Sequence, residues 1–144
     1  MLPTLNGRLQ TRIFMLVVFG GLITLVLTPI LPGDPDYRTT YLILAAVLVL
    51  GVLWELVYHA IQQLRWEKDW PTMFGLITAL NEGALVWLLL DLELVPGIDY
   101  PYDGVPFWAF FIDFSVIWLV IWIWTNGPMR VPFIRWRFFG GRII

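Results

Sequence analysis

One acidic residue in the middle of an apolar run constrains this chain most. Residues 71–90 form a run of about 20 mostly apolar residues, which as a helix would cross a hydrocarbon core of roughly 30 Å. Glu82 lies about eleven residues into that run, so a rise of about 1.5 Å per residue places it near the midplane. A charged carboxylate at that depth costs at least about 3 kcal/mol. The fold must therefore give Glu82 a proton or a partner.

The composition indicates a membrane protein. Of the 144 residues, 59% are hydrophobic and 14% are charged, whereas a soluble domain carries about 25% charged residues. Cys is absent and His occurs once, which excludes disulfides, thiolate metal sites, Cys nucleophiles and multi-His metal or haem sites within one chain. No phosphate-binding loop, nucleophile elbow or zinc-protease motif is present, and Ser115 has no neighbouring base. We expect neither an enzyme nor a cofactor.

Four apolar segments predict an all-α integral membrane protein with a four-transmembrane-helix bundle. The expected helices cover about residues 12–30, 40–63, 71–91 and 105–125. The first segment is too long for the apolar core of a signal peptide and lacks a small-x-small cleavage site, so we expect a retained anchor. Residues 1–127 would form the transmembrane domain, and residues 128–144 a basic, aromatic tail at the cytoplasmic interface.

Small residues recur at four-residue spacing on the predicted helices, which favours close packing between helices. These faces carry Gly20, Thr24 and Thr28 in the first segment, Gly51 in the second, and Gly75, Ala79 and Gly83 in the third. We expect the faces to point toward one another or toward a partner.

Basic and acidic residues are segregated along the chain, which predicts the orientation. The basic residues expected on the cytoplasmic side are Arg8, Arg12, Arg65, Lys68, Arg130, Arg135, Arg137 and Arg142. The outer side is expected to hold Arg38 together with Asp34, Asp36, Asp91, Glu93, Asp99 and Asp103. By the positive-inside rule, both termini would be cytoplasmic. The preference for Arg over Lys hints at a bacterial chain, and hence at a bacterial plasma (inner) membrane.

Counting along the predicted helices puts Glu55, Glu82 and Asp113 inside the membrane. His59, one turn from Glu55, is the only basic residue expected near them, so the acids would outnumber their counter-charges. Three solutions are open: protonation with hydrogen bonding, a proton or cation shared between helices, or a charge supplied by another chain. The candidate hydrogen-bond partners are Thr24, Tyr58, Thr78, Asn81 and Ser115.

The uncompensated acids favour two functions. The first is an accessory or scaffolding subunit that docks other membrane subunits of a larger complex through small-residue and acidic faces. The second is a small proton- or cation-coupled transporter or channel, a homo-oligomer working through Glu82 and Asp113. The residues for either role are Glu55, His59, Asn81, Glu82 and Asp113. Glu55 and His59 have the spacing of a metal pair, but two ligands are a weak signal, and no metal is expected.

The tail combines Arg with aromatic residues, a pattern typical of contact with anionic phospholipids at the cytoplasmic face or with a partner subunit. The residues proposed for that contact are Arg130, Arg135, Trp136, Arg137 and Arg142. An aromatic stripe on the fourth segment is expected to face lipid or another subunit, with a flat hydrophobic ligand as the alternative. Its members are Phe107, Phe111, Phe114, Trp118 and Trp122. Nucleic acid binding is not expected, because the basic patch is small and adjoins the bilayer.

Overall fold

The computed structural model describes residues 4–67, 71–100 and 105–144, and within these ranges the chain is all-helical. Four of the described helices are long and apolar enough to cross a membrane: α1, Leu5–Leu27; α2, Tyr37–Leu64; α3, Thr72–Asp91; and α4, Phe107–Asn126. A 3-10 helix, Pro128–Arg130, and helix α5, Ile134–Phe138, follow them. The expected all-helical class with four membrane-length helices is confirmed. Lys68 and Asp103, both used for the predicted orientation, lie outside the described residues.

Helix α1 begins at Leu5 rather than near residue 12. The Thr4 hydroxyl caps this start by accepting a hydrogen bond from the backbone N–H of Gly7 at 3.1 Å. The apolar pattern alone misses the start because the first two turns are largely polar. As a result, Arg8 and Arg12 lie inside the helix instead of in front of it.

A π-helical stretch, Leu16–Gly20, interrupts the regular hydrogen bonding of α1. Such stretches occur mostly as single turns within α-helices and often lie at functional sites. This one lies between Arg12 and Thr24, the two positions at which α1 contacts buried acids.

Helix α2 is capped by Asp36, whose carboxylate accepts a hydrogen bond from the backbone N–H of Thr39 at 3.1 Å. Hydrogen bonding from Thr39 lowers the pKa of the exposed Asp36 carboxyl, because it favours the ionised form. With 28 residues, α2 is about 42 Å long, more than the roughly 30 Å of a hydrocarbon core. It is long enough to reach both headgroup regions.

Each long helix packs on the next, and the second half of α1 also packs on α4. The first half of α1 packs instead on α2. One buried apolar cluster joins all four helices: Leu16, Ile43, Val47, Val86, Leu90, Phe110 and Ile117, with Val95 and Ile98 from the connection after α3. The helices are therefore held together where α1 meets both α2 and α4, toward its second half.

The small residues of the predicted faces allow contacts within the chain. A Cβ atom on Gly20 would lie 3.0 Å from Leu44 of α2, and one on Gly83 would lie 3.0 Å from Phe114 of α4. Gly75 is similarly close to Trp122, at 3.1 Å. The small residues thus face large side chains of neighbouring helices in the same chain, rather than the small residues of another predicted face.

The C-terminal tail folds back on the start of α1. Trp136 and Met129 are 4% and 0% exposed, and they pack with Met15 of α1. The Trp136 ring is buried in the chain and its Nε1 donates to the Thr11 hydroxyl at 2.8 Å, so the proposed contact of this residue with headgroups or a partner stays a prediction. Arg135, Arg137 and Arg142 of the same proposal are exposed.

Candidate functional site

A cluster of ionisable side chains lies between α1, α2 and α3. Arg12 extends from α1 between two acids: its Nη1 and Nη2 donate to Glu82 at 2.7 and 2.9 Å, and its Nε donates to Glu55 at 2.7 Å. The Arg12 side chain is 11% exposed, and that of Glu82 is 2% exposed. The paired hydrogen bonds to Glu82 have the two-pronged geometry that makes Arg–carboxylate contacts strong.

The remaining polar groups of the cluster come from α1, α2 and α3. Arg8, one turn before Arg12, donates from Nη1 to Glu55 at 3.3 Å and from Nη2 to the Gln62 side-chain oxygen at 2.7 Å. The Tyr58 hydroxyl donates to Glu82 at 2.9 Å and accepts from the Asn81 amide at 2.8 Å. The cluster thus contains two cations and two acids, and its formal charge is zero.

Two features of neighbouring residues allow Arg12 to reach across. A Cβ atom on Gly51 of α2 would lie 2.5 Å from Arg12 Nη1 and 2.9 Å from its Cδ, so a larger residue there would displace the Arg12 side chain from this position. On the other side, the Arg12 guanidinium lies 5.7 Å from the centre of the Trp118 ring, within the range of a cation–π contact.

The expectation that Glu55 and Glu82 lack a cation within their own chain is wrong. Arg8 and Arg12 were assigned to the cytoplasmic surface because α1 was predicted to start near residue 12. The helix starts at Leu5 and carries both guanidinium groups inward. A Thr cap followed by Arg at four-residue spacing is the sequence signal that could have revealed this face of α1. The expected hydrogen bond from Tyr58 to a buried acid is present.

The cluster borders a cavity of about 490 Å³. The lining comes from the first turns of α1 and α3, from Glu55 and Tyr58 of α2, from the last turns of α4, and from the tail. Its polar and aromatic lining includes Arg8, Thr11, Arg12, Glu55, Tyr58, Thr72, Thr78, Trp118, Trp122, Thr125, Asn126, Arg130 and Trp136. The volume falls within the roughly 300–1,000 Å³ of ordinary ligand pockets.

The aromatic stripe of α4 divides into two parts. Trp118 and Trp122 line the cavity, and their ring N–H groups donate to the backbone oxygens of Gly75 and Thr72 at 2.7 and 3.1 Å. For this half, the expectation of a surface toward lipid or another subunit is wrong, because the rings pack on α3. Phe111, at the other end of the stripe, is exposed.

Asp113 lies apart from the cluster. It is 8% exposed, and Thr24 of α1 donates to its Oδ2 at a long 3.4 Å, as expected for Thr24. Its Oδ1 is buried without a hydrogen-bond partner among the described residues. Thr28 bonds the Thr24 carbonyl at 2.6 Å and the Thr40 hydroxyl at 3.0 Å. These threonine hydroxyls lead from Asp113 toward the N-terminal end of α2, away from the cavity.

Leu16 and Trp118 separate these two polar regions. Both residues line the 490 Å³ cavity and also a second cavity of about 30 Å³ that Asp113 borders. Leu16 is 4% exposed. The two cavities therefore share these two large side chains as part of their walls.

His59 does not join the acids. It is partly exposed, its Nε2 lies 3.4 Å from the Gln63 amide, and its Nδ1 is buried without a hydrogen bond among the described residues. Of the five residues predicted for the site, Glu55, Asn81 and Glu82 come together, whereas His59 and Asp113 lie elsewhere. In residues 4–67, 71–100 and 105–144, no three His, Cys, Asp or Glu residues group as metal ligands.

Comparison with known proteins finds no relative: no family model, no curated protein and no solved structure matches this chain.

Proposed function

We propose that the four long helices form a transmembrane bundle with both termini in the cytoplasm, in a bacterial plasma membrane. The charge asymmetry of the connections supports this orientation through the positive-inside rule. The backbone N–H of Thr4 donates to the Gly140 oxygen at 2.9 Å, which supports a common side for the two ends. Arg38 and its exposed partner Asp99, 3.5 Å apart, belong to the opposite side.

Cysteine labelling tests the orientation without background, because the chain has no Cys. The variants Ile144→Cys and Asp99→Cys change exposed positions, 88% exposed for the Ile144 residue and 93% for the Asp99 side chain. A membrane-impermeant maleimide should label Asp99→Cys in intact spheroplasts and Ile144→Cys only after permeabilisation. Labelling of Ile144→Cys in intact spheroplasts would contradict the orientation.

Within this bundle, we propose a small proton-coupled transporter in which Glu82 and Asp113 carry the protons. The observation that carries the proposal is the balanced ion cluster at the edge of the cavity. One added proton on Glu82 or Glu55 leaves an excess positive charge, which requires an accompanying anion or a movement of Arg12. Proton binding by Glu55 or Glu82 is thus linked to the shape of the cavity through the position of the Arg12 guanidinium.

The second polar region supports the same function. Alternating access requires paths from both faces that do not connect at the same time. We infer that the cavity and the threonine hydroxyls near Asp113 serve opposite faces, with Leu16 and Trp118, which line both cavities, as the barrier. The π-helical stretch that begins at Leu16 gives α1 an irregular segment at this barrier, where a change in helix geometry would move both sides.

Proton flux into liposomes tests the transporter. The purified chain is reconstituted with a pH-sensitive dye inside, and a potassium gradient with valinomycin drives protons inward. The wild type should acidify the interior, whereas Glu82→Gln and Asp113→Asn should fall to the level of empty liposomes, because neither amide takes up the proton. Glu67→Gln is the matched control, since Glu67 is exposed. Equal flux in the wild type and Glu82→Gln would contradict the proposal.

An accessory subunit is the second candidate function. Exposed rings at the start of α4 favour it: Phe107, Trp108 and Phe111 are 41%, 63% and 47% exposed and contact one another. Such a patch suits a partner helix as well as the lipid interface. Stoichiometric other chains after extraction in mild detergent, together with no proton flux, would favour this role over transport.

A further inference from the structure

The cavity has a positive charge that its described residues do not balance. Arg8 and Arg12 are matched by Glu55 and Glu82 in the cluster. Arg130, from the 3-10 helix after α4, also lines the cavity. No acid lies within ion-pair distance of Arg130 in the described part of the chain. Counted over the described residues, the cavity and its cluster therefore carry one net positive charge.

The Arg130 guanidinium makes few hydrogen bonds with the described residues. Its Nη2 donates to the Asn126 side-chain oxygen at a long 3.4 Å. Its Nε is buried and has no hydrogen-bond partner among the described residues. A buried donor without a partner is costly, and more so when it is charged. An anion in the cavity, which Arg130 lines, would remove the charge imbalance.

The rest of the lining defines the kind of anion. Thr72, Thr78 and Thr125 add hydroxyl or backbone polar groups. Trp118, Trp122 and Ile121 add apolar wall on the α4 side. A small, fully hydrated anion would leave this wall without a contact, whereas a ligand with an apolar portion would cover it.

We propose that the cavity binds a phosphate-type oxyanion attached to an apolar body, with Arg130 as its counter-cation. Guanidinium groups suit phosphate oxygens because their N–H groups can bond two oxygens at once. The oxyanion could come from a phospholipid headgroup entering from the bilayer or from a soluble phosphate ester entering from the cytoplasm. The claim that this oxyanion is the transported ligand rests on the proposed transport function. Its binding to the cavity can be measured without measuring any transport.

Two binding measurements on the full chain distinguish the sources. In the first, nanodiscs of phosphatidylcholine mixed with phosphatidylglycerol are dissociated in a native mass spectrometer, and retained phosphatidylglycerol is counted. In the second, phosphatidylcholine nanodiscs are titrated with phenyl phosphate, which carries an apolar ring, and with inorganic phosphate, and the tryptophan fluorescence is followed. Retained phosphatidylglycerol in the first measurement identifies a lipid headgroup as the source of the oxyanion. A change in tryptophan fluorescence in the second measurement alone identifies a soluble phosphate ester or phosphate.

The variant Arg130→Gln should weaken binding by about tenfold or more in whichever arm the wild type binds, because a hydrogen bond between charged groups is lost. Arg130→Lys should restore part of it, since the charge is kept. Arg38→Gln is the matched control: it removes an exposed Arg that lies outside the tail and the cavity, and it should leave binding unchanged. No binding in either arm, or equal losses in Arg130→Gln and Arg38→Gln, would overturn the proposal. Intact binding without Glu82-dependent flux would instead refute transport alone.

Discussion

Replacing Arg12 with methionine is expected to lower the free energy of unfolding by about 3–5 kcal/mol, the usual cost of removing one partner from a buried ion pair. The variant leaves Glu82 without a cation and leaves Glu55 with Arg8 alone. Methionine fills a similar volume without charge, so the loss reflects the orphaned acids more than a cavity. Thermal or detergent-induced unfolding, followed by circular dichroism, measures the change.

Two further variants identify the cause. The exposed pair Arg38–Asp99 gives the matched control, because Arg38→Met should cost less than about 1 kcal/mol. The double variant Arg12→Met with Glu82→Met should recover part of the lost stability, since it removes the acid that Arg12 neutralised. A near-neutral effect of Arg12→Met would mean that another source, such as a second chain, balances the acids.

Gly7→Ala is expected to release the C-terminal tail from α1 and to cost about 1–3 kcal/mol. A Cβ atom at Gly7 would lie 2.0 Å from the Gly140 oxygen and 2.8 Å from the Gly140 and Gly141 carbonyl carbons. All of these are backbone atoms, so no side chain can move away to make room. Gly140 and Gly141 have φ of 64° and 87°, which leaves the turn itself few alternatives.

The tail should separate because its hydrogen bonds depend on this close approach. Thr11 donates to the Gly141 oxygen at 2.9 Å, and the backbone N–H of Ile143 donates to the Gln10 side chain at 2.7 Å. Hydrogen exchange at Ile143 and tryptic cleavage at Arg142 should both accelerate in Gly7→Ala. Gly21→Ala is the matched control, because a Cβ there meets nothing within 4 Å. Equal protection of the tail in the two variants would contradict this contact.

The sequence predicted the helices well where their limits coincide with a change in composition. Helices α3 and α4 lie within a few residues of the expected positions, because Pro71 and Pro106 precede them and polar residues follow. The start of α1 was missed because its first turns are as polar as a loop. That one error removed Arg8 and Arg12 from the predicted interior and produced an apparent excess of buried acid.

The candidate site was predicted only in part, for a related reason. Glu82 and Glu55 are visible in sequence because a carboxylate in an apolar run is costly wherever it points. Which group neutralises it depends on how neighbouring helices are rotated and staggered. The sequence of a helix that is apolar nearly all round says little about its rotation or its stagger, since lipid and protein surroundings are equally apolar.

The amino-acid sequence by itself determined that four apolar helices form, that acids lie within them, and that small residues permit close approach. Only the tertiary structure decided that Arg12 passes Gly51 to bond both Glu55 and Glu82, and that Asp113 lies apart with Thr24. The physical reason is the range of the interactions. Helix formation follows local hydrogen bonding and the cost of exposing backbone in an apolar medium, whereas charge pairing is set by side-chain geometry between distant segments.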